Sequence, residues 1–291
     1  FYDFSKFFEL YDNKKDPKQK KNIYNESDLI SAKLKKYFDR YLQIHYAKRN
    51  ITFESGNPDA PETDQHRNAV TQLIKSLNKA NESTVIELLS HEDWRVRQKA
   101  ATVAGEKKID DSEAVHGLIL LLADSSKWVR RDARNALRQI GMPAASVLID
   151  ALRQDSTTKN LSFVPEIGEK EESISVSIKM ALKSIGPEVI PVLIDALDSE
   201  DIRLIKNISG VLGLFGTVAV DAVPNLIKLT GSDKWDVRNN VIADLAKIAP
   251  LNPEVKDVVK QALNDSESKV RKTAQNAMKR IEKAEKSTKK P

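Results

Sequence analysis

The sequence predicts an all-α protein: a right-handed α-solenoid (superhelix) of about six helix pairs, with an N-terminal helical capping segment. Three observations predict it. A short motif recurs at a fixed period, an apolar stripe with helical spacing follows each copy, and a second apolar run precedes each copy. The motif is plainest in DWRVR, KWVR and KWDVR, which hold the chain's three tryptophans, Trp94, Trp128 and Trp235. Its arginines are Arg97, Arg130, Arg238 and Arg271; the first two and the last two are each 33 residues apart. Two degenerate copies fill the gap, with Ser175 and Ile205 in the arginine slot.

Taking the residue before the arginine slot as position zero, positions 4, 7, 8 and 11 form one helix face in every copy. The second copy reads Ala133, Ala136, Leu137, Ile140, and the third Ile178, Ala181, Leu182, Ile185. The fourth reads Ile208, Val211, Leu212, Phe215 and the sixth Ala274, Ala277, Met278, Ile281. Lys107 and Asp244 are lapses in this stripe. The preceding runs (VIELL, GLILLLA, VLIDAL twice, PNLIKL, VVKQAL) supply the first helix of each unit. Connectors such as DSS, DSE and GSD offer Asp and Ser as N-caps for the second. Neither helix buries its apolar face alone, so the units must stack.

Residues 1–62 differ in kind. They hold 12 of the 14 Phe and Tyr residues and are expected to form a helical arm, with a helix from about Ser27 to Arg49. An arm that seals the open end of the array is favoured over one that docks a partner or a membrane surface. A helix is expected from about Thr63 to Ala80, the solenoid from 63 to 282, and a basic flexible tail from 283 to 291. The third copy has a connector lengthened by 12 residues, in which Phe163 and Val164 are a candidate contact point.

Composition narrows the chemistry. With no cysteine, disulfides, thiolate metal sites and cysteine nucleophiles are excluded. Net charge is +5, which permits an anionic partner without demanding one. No apolar run approaches the ~18 residues of a membrane-spanning helix. The chain opens on Phe1 rather than methionine, so it is expected to be processed or trimmed. Compartment stays open, with the cytoplasm slightly favoured over export. His45, His66, His91 and His116 share no metal-ligand spacing, no glycine-rich phosphate loop occurs, and neither metal nor cofactor is expected.

The pattern L-x-x-L-L-x-D-x-x-W-x-V-R-x-x-A-x-x-A-L-x-x-I-G resembles the HEAT-like repeats first known from phycobilisome lyases. DWRVRQKAATVA, KWVRRDARNALRQIG and KWDVRNNVIADLAKIA carry the resemblance, which covers roughly residues 82–282. It implies a non-enzymatic protein-interaction scaffold, of the kind that serves as one subunit of a larger assembly. It also implies that connector Asp and following Arg bridge neighbouring repeats in a ladder, and the Trp ring is expected to cover the turn. Lyase activity is not carried over, because the match is to the generic repeat.

The second helices are expected to line the concave face, with positions 2, 5, 6 and 9 pointing away from the core. Those 24 positions hold eight basic residues and no acidic one. Arg131, Arg134, Arg138, Lys179, Lys183 and Lys206 form the candidate partner-binding patch, and an acidic protein segment is the leading ligand. The alternative is a nucleic-acid-binding or DNA-glycosylase-like HEAT protein, for which Trp128 and Asp132, one turn apart, could stack on a base and stabilise a cationic sugar. His91-Glu92 resembles the His-Glu pairs of the HEAT-repeat deoxyhypusine hydroxylases, but occurs once and in a connector.

Overall fold

The computed structural model describes residues 64–153 and 174–288, with side chains from 67 onward. The expected arm and its boundary at 62/63, and the loop residues Phe163 and Val164, lie outside them. The regular structure of the described residues is all helical, with no strand among them. They fall into two compact units, divided between Ala100 and Ala101 within one helix.

The first unit contains α1 (Asp64–Leu77), α2 (Glu82–Leu88) and the first half of α3 (Trp94–Glu106). Asn81 caps α2, its Oδ1 accepting from Thr84 N at 2.8 Å. Val70, Leu77, Val85, Leu89, Val96 and Ala100 are buried; of these Val85 and Leu89 belong to the apolar run VIELL and Ala100 to the stripe at position 4.

The second unit is the solenoid proper. After the end of α3 come α4 (Ser112–Leu121), α5 (Lys127–Ile140), α6 (Met142–Arg153), α7 (Ile174–Ile185), α8 (Ile190–Ala196) and α9 (Ile202–Phe215). Then follow α10 (Val223–Leu229), α11 (Trp235–Ile248), α12 (Pro253–Ala262) and α13 (Ser268–Thr288). Short 3₁₀ turns, Pro187–Val189 and Gly216–Ala222, lead into α8 and α10. Second helices stack in one row, α5 on α7, α7 on α9, α9 on α11 and α11 on α13. First helices form the other layer, with α4 on α6, α6 on α8 and α10 on α12. The core lies between the layers. Leu118, Leu137, Leu148, Leu182, Leu193 and Leu212 are fully buried there, each worth about 1.5–3 kcal/mol of transfer free energy.

Glycine ends three of the second helices. Gly141, Gly186 and Gly216 all have positive φ, at 78°, 133° and 60°, where a side chain would be strained. The stretch Ile202–Leu229 is long enough to cross a membrane and contains an 18-residue window of mean hydropathy 1.6. Gly216 and the 3₁₀ turn after it divide that stretch into α9 and α10, two helices of successive pairs.

The expected flexible tail is helical as far as Thr288. Glu285 forms an ion pair with Lys256 of α12, which ties the extension to the last repeat.

Candidate interaction face

The repeated arginine acts first inside its own repeat. Arg97 Nη1 donates to the carbonyls of His91 and Glu92, at 2.9 and 2.7 Å. Arg130 donates to Asp124 and Ser125, at 2.7 and 3.1 Å, and Arg271 to Asp265 and Ser266, at 2.7 and 2.8 Å. Each guanidinium therefore staples the connector's carbonyls, five and six residues back, to the first turn of the second helix. The ladder expected from the sequence is present at Arg238, whose Nε and Nη2 reach Asp265 of the next repeat at 2.7 and 2.8 Å. Its Nη1 still serves its own connector at Ser232 O, 2.8 Å away. The repeated arginine thus staples its own connector, and at Arg238 it also makes the bridge to the next repeat that the sequence led us to expect.

The connector aspartates close the turns. Asp124 Oδ1 accepts from Ser126 N at 2.8 Å, and Asp265 Oδ1 from Glu267 N at 2.8 Å. Ser126, the N-cap of α5, makes no side-chain capping bond, and the carboxylate two residues earlier instead holds its backbone N–H in an Asx turn.

The tryptophans are 39%, 45% and 36% exposed at Trp94, Trp128 and Trp235, so they cover the turns only in part. Arg131 and Lys127 lie over the Trp128 ring, 4.9 and 5.1 Å from its centre. Lys269 of the next repeat lies 4.7 Å from the centre of Trp235. These are cation–π contacts worth about 0.5–1 kcal/mol at exposed sites.

The six basic residues of the candidate patch lie on three successive second helices, and they are not equivalent. Arg131 is committed to Asp132 (Nε to Oδ1, 2.7 Å) and to the Trp128 ring, and that hydrogen bond raises its pKa further. Lys206 is paired with Asp236 at 2.7 Å, which holds the Asp236 carboxyl below its ordinary range. Lys179 lies along α9, donating to Asn207 Oδ1 at 3.5 Å. Arg138 and Lys183 are exposed. Arg134 is half-buried, and its Nε is buried with no hydrogen-bond acceptor. The open part of the patch is therefore Arg134, Arg138 and Lys183.

Two sequence expectations fail here. Six of the 24 positions taken as outward are buried: Ala101, Gly105, Ser209, Gly213, Ile242 and Ala246. They occupy positions 5 and 9, where the next second helix approaches; five of the six are Ala, Gly or Ser, and Ile242 is buried there instead. A Cβ on Gly105 would stand 2.6 Å from Ala136 Cα of α5. The basic patch also has acidic neighbours, because Asp132 and Asp236 stand at positions that the outward set left out.

Asp244, a lapse in the apolar stripe, is 3% exposed between α9 and α11. Ser209 Oγ donates to its Oδ2 at 2.8 Å, and Lys247 Nζ to its Oδ1 at 2.7 Å. Burial nevertheless dominates and pushes this carboxyl up from its ordinary value. A Cβ on Gly213 would come within 2.4 Å of Asp244 Oδ1, so the glycine makes room for the carboxylate. The run of apolar neighbours around 244 gave no sign of this polar junction.

No cluster of metal-ligating side chains occurs among the described residues. His91 Nδ1 accepts from Asp93 N at 3.0 Å, and burial lowers its pKa, so the ring serves the connector turn as a neutral acceptor. Asp132, the candidate glycosylase carboxylate, holds Arg131 instead.

A family model described as HEAT repeats matches residues 61–160 and 190–279. No curated protein matches. Among solved structures, an engineered protein is similar at 22% identity and a TM-score of 0.33, over 72% of this chain and 97% of that one. A designed armadillo repeat protein is similar at 20% identity and 0.31, over 68% and 98%. Human deoxyhypusine hydroxylase in complex with glycerol is similar at 16% identity and 0.33, over 84% and 98%. Similarity at these TM-scores leaves the assignment to the repeats themselves.

Proposed function

As the chain belongs to the HEAT-repeat family, we propose that it is a non-enzymatic protein-interaction scaffold that binds an acidic protein segment on its second-helix face. The observation that carries this reading is the set Arg134, Arg138 and Lys183, an open group of positive charge on adjacent stacked helices. The finer likeness, to the phycobilisome-lyase kind of HEAT repeat, belongs to the same reading through the W-x-V-R motif and its arginine staple.

Nucleic acid is the competing ligand. A polyanion of even charge density would lay phosphates across α9 and α11 as well. There Lys206 and Lys247 are already held by Asp236 and Asp244. A titration of the full chain with a fluorescent oligoglutamate, and with single- and double-stranded DNA of similar length, separates the two across a salt series. The scaffold reading expects the peptide to bind more tightly than either DNA. Tighter DNA binding with a steep salt slope would replace it.

A further inference from the structure

Positive charge on the second-helix face occurs in two blocks. The first is the open group on α5 and α7. The second is on α13, where Lys272, Lys279, Lys283 and Lys286 recur at helical spacing and are all exposed. Between the blocks, α9 and α11 present Gly210, Leu214 and Ala243. Leu214 is 37% exposed there and Met180 of α7 38%, so the floor between the blocks is apolar and open. On these two helices Lys206 is matched to Asp236, Lys247 to Asp244 and Arg238 to Asp265, while the exposed Arg203 stands at the N-terminal end of α9, about three helical turns from Leu214.

We propose that the ligand of this face is a bipartite acidic segment: two acidic clusters joined by an uncharged, partly apolar spacer that runs across α9 and α11. The inference rests on the acidic-partner reading and adds the ligand's pattern. From α7 to α13 there are three helix-to-helix steps of about 8–10 Å, so about 24–30 Å. An extended chain rising about 3.3 Å per residue covers that distance in roughly seven to nine residues. An acidic spacer residue at the level of Leu214 would lie on the apolar floor, away from Arg203 at the other end of α9, which disfavours a continuous acidic run.

The test uses the full chain and labelled peptides. One peptide carries a single cluster of glutamates; the others carry two clusters separated by neutral spacers of about two, about eight and about twenty residues. The expected result is that the eight-residue spacer binds at least about tenfold more tightly than the single cluster, with the shortest giving no gain and the longest a smaller one. Lys279→Glu with Lys283→Glu should abolish the gain and leave single-cluster binding intact, circular dichroism confirming the helices. Affinity independent of spacer length, or a gain that survives the α13 variant, overturns the bipartite pattern. No binding of the single cluster to the unmodified chain would instead overturn the acidic-partner reading beneath it.

Discussion

Arg238 and Asp265 face each other across a repeat junction through two parallel hydrogen bonds, Nε to Oδ2 at 2.7 Å and Nη2 to Oδ1 at 2.8 Å. Both side chains are largely buried, so this pair is shielded as surface ion pairs are not. Arg238→Ala removes the pair and the bond to Ser232 O, and leaves Asp265 facing the junction. The expected loss is about 1–3 kcal/mol, read as a lower denaturation midpoint. Lys260→Ala, which removes only an exposed pair with Asp257, should cost less than about 0.5 kcal/mol.

The two glycines of α9 should respond oppositely to the same change. Alanine normally favours a helix interior over glycine by about 1 kcal/mol. At Gly210 the nearest atom to a new Cβ is Lys179 Cδ, 3.8 Å away, so Gly210→Ala should raise the melting temperature. At Gly213 the new Cβ would stand 2.4 Å from Asp244 Oδ1 and 2.8 Å from its Cγ, and Gly213→Ala should lower it. Matched shifts in one direction would show that the α9–α11 approach is looser than described.

Acid should act on the carboxylates with opposite signs. The Arg238 hydrogen bond holds Asp265 below its ordinary range, and the Lys206 hydrogen bond does the same for Asp236. Their contributions are complete above the ordinary value of 3.8 and are lost as pH falls through the lower folded values. Asp244 runs the other way. Burial raises its folded pKa, so its contribution is complete below 3.8 and is lost as pH rises through the folded value. Asp244→Asn should therefore gain stability relative to the parent chain between pH 4 and neutrality, measured by urea unfolding at each pH. A pH-independent difference would place Asp244 in a far less desolvated setting.

The fold was legible because its signals are periodic. The stripe at positions 4, 7, 8 and 11 identified the core side of α5, α7, α9 and α13, and Ala133, Ile178, Ile208 and Ala274 are all buried. The face was less legible, because outward position alone does not say whether the next repeat arrives there. Ser209 and Ile242 are buried by that arrival, whereas Lys179, at the same position in its copy, reaches along α9. Nor could a list of outward positions show that Arg131 bends back to Asp132 and Trp128, since that partnership is a matter of rotamer and not of period. The junction at Asp244 looked like an interruption in a pattern; its meaning depends on Ser209, 35 residues away.

The most direct measurement is the affinity of a single-cluster glutamate peptide for the parent chain and for a variant carrying Arg138→Glu and Lys183→Glu. Both residues are exposed and lie outside the core, so the variant should keep its helical circular dichroism and its melting temperature. The scaffold reading predicts salt-sensitive binding by the parent chain and at least about a tenfold loss in the variant, because like charges would then meet at the face. Equal affinity of the two folded proteins for the peptide would contradict it.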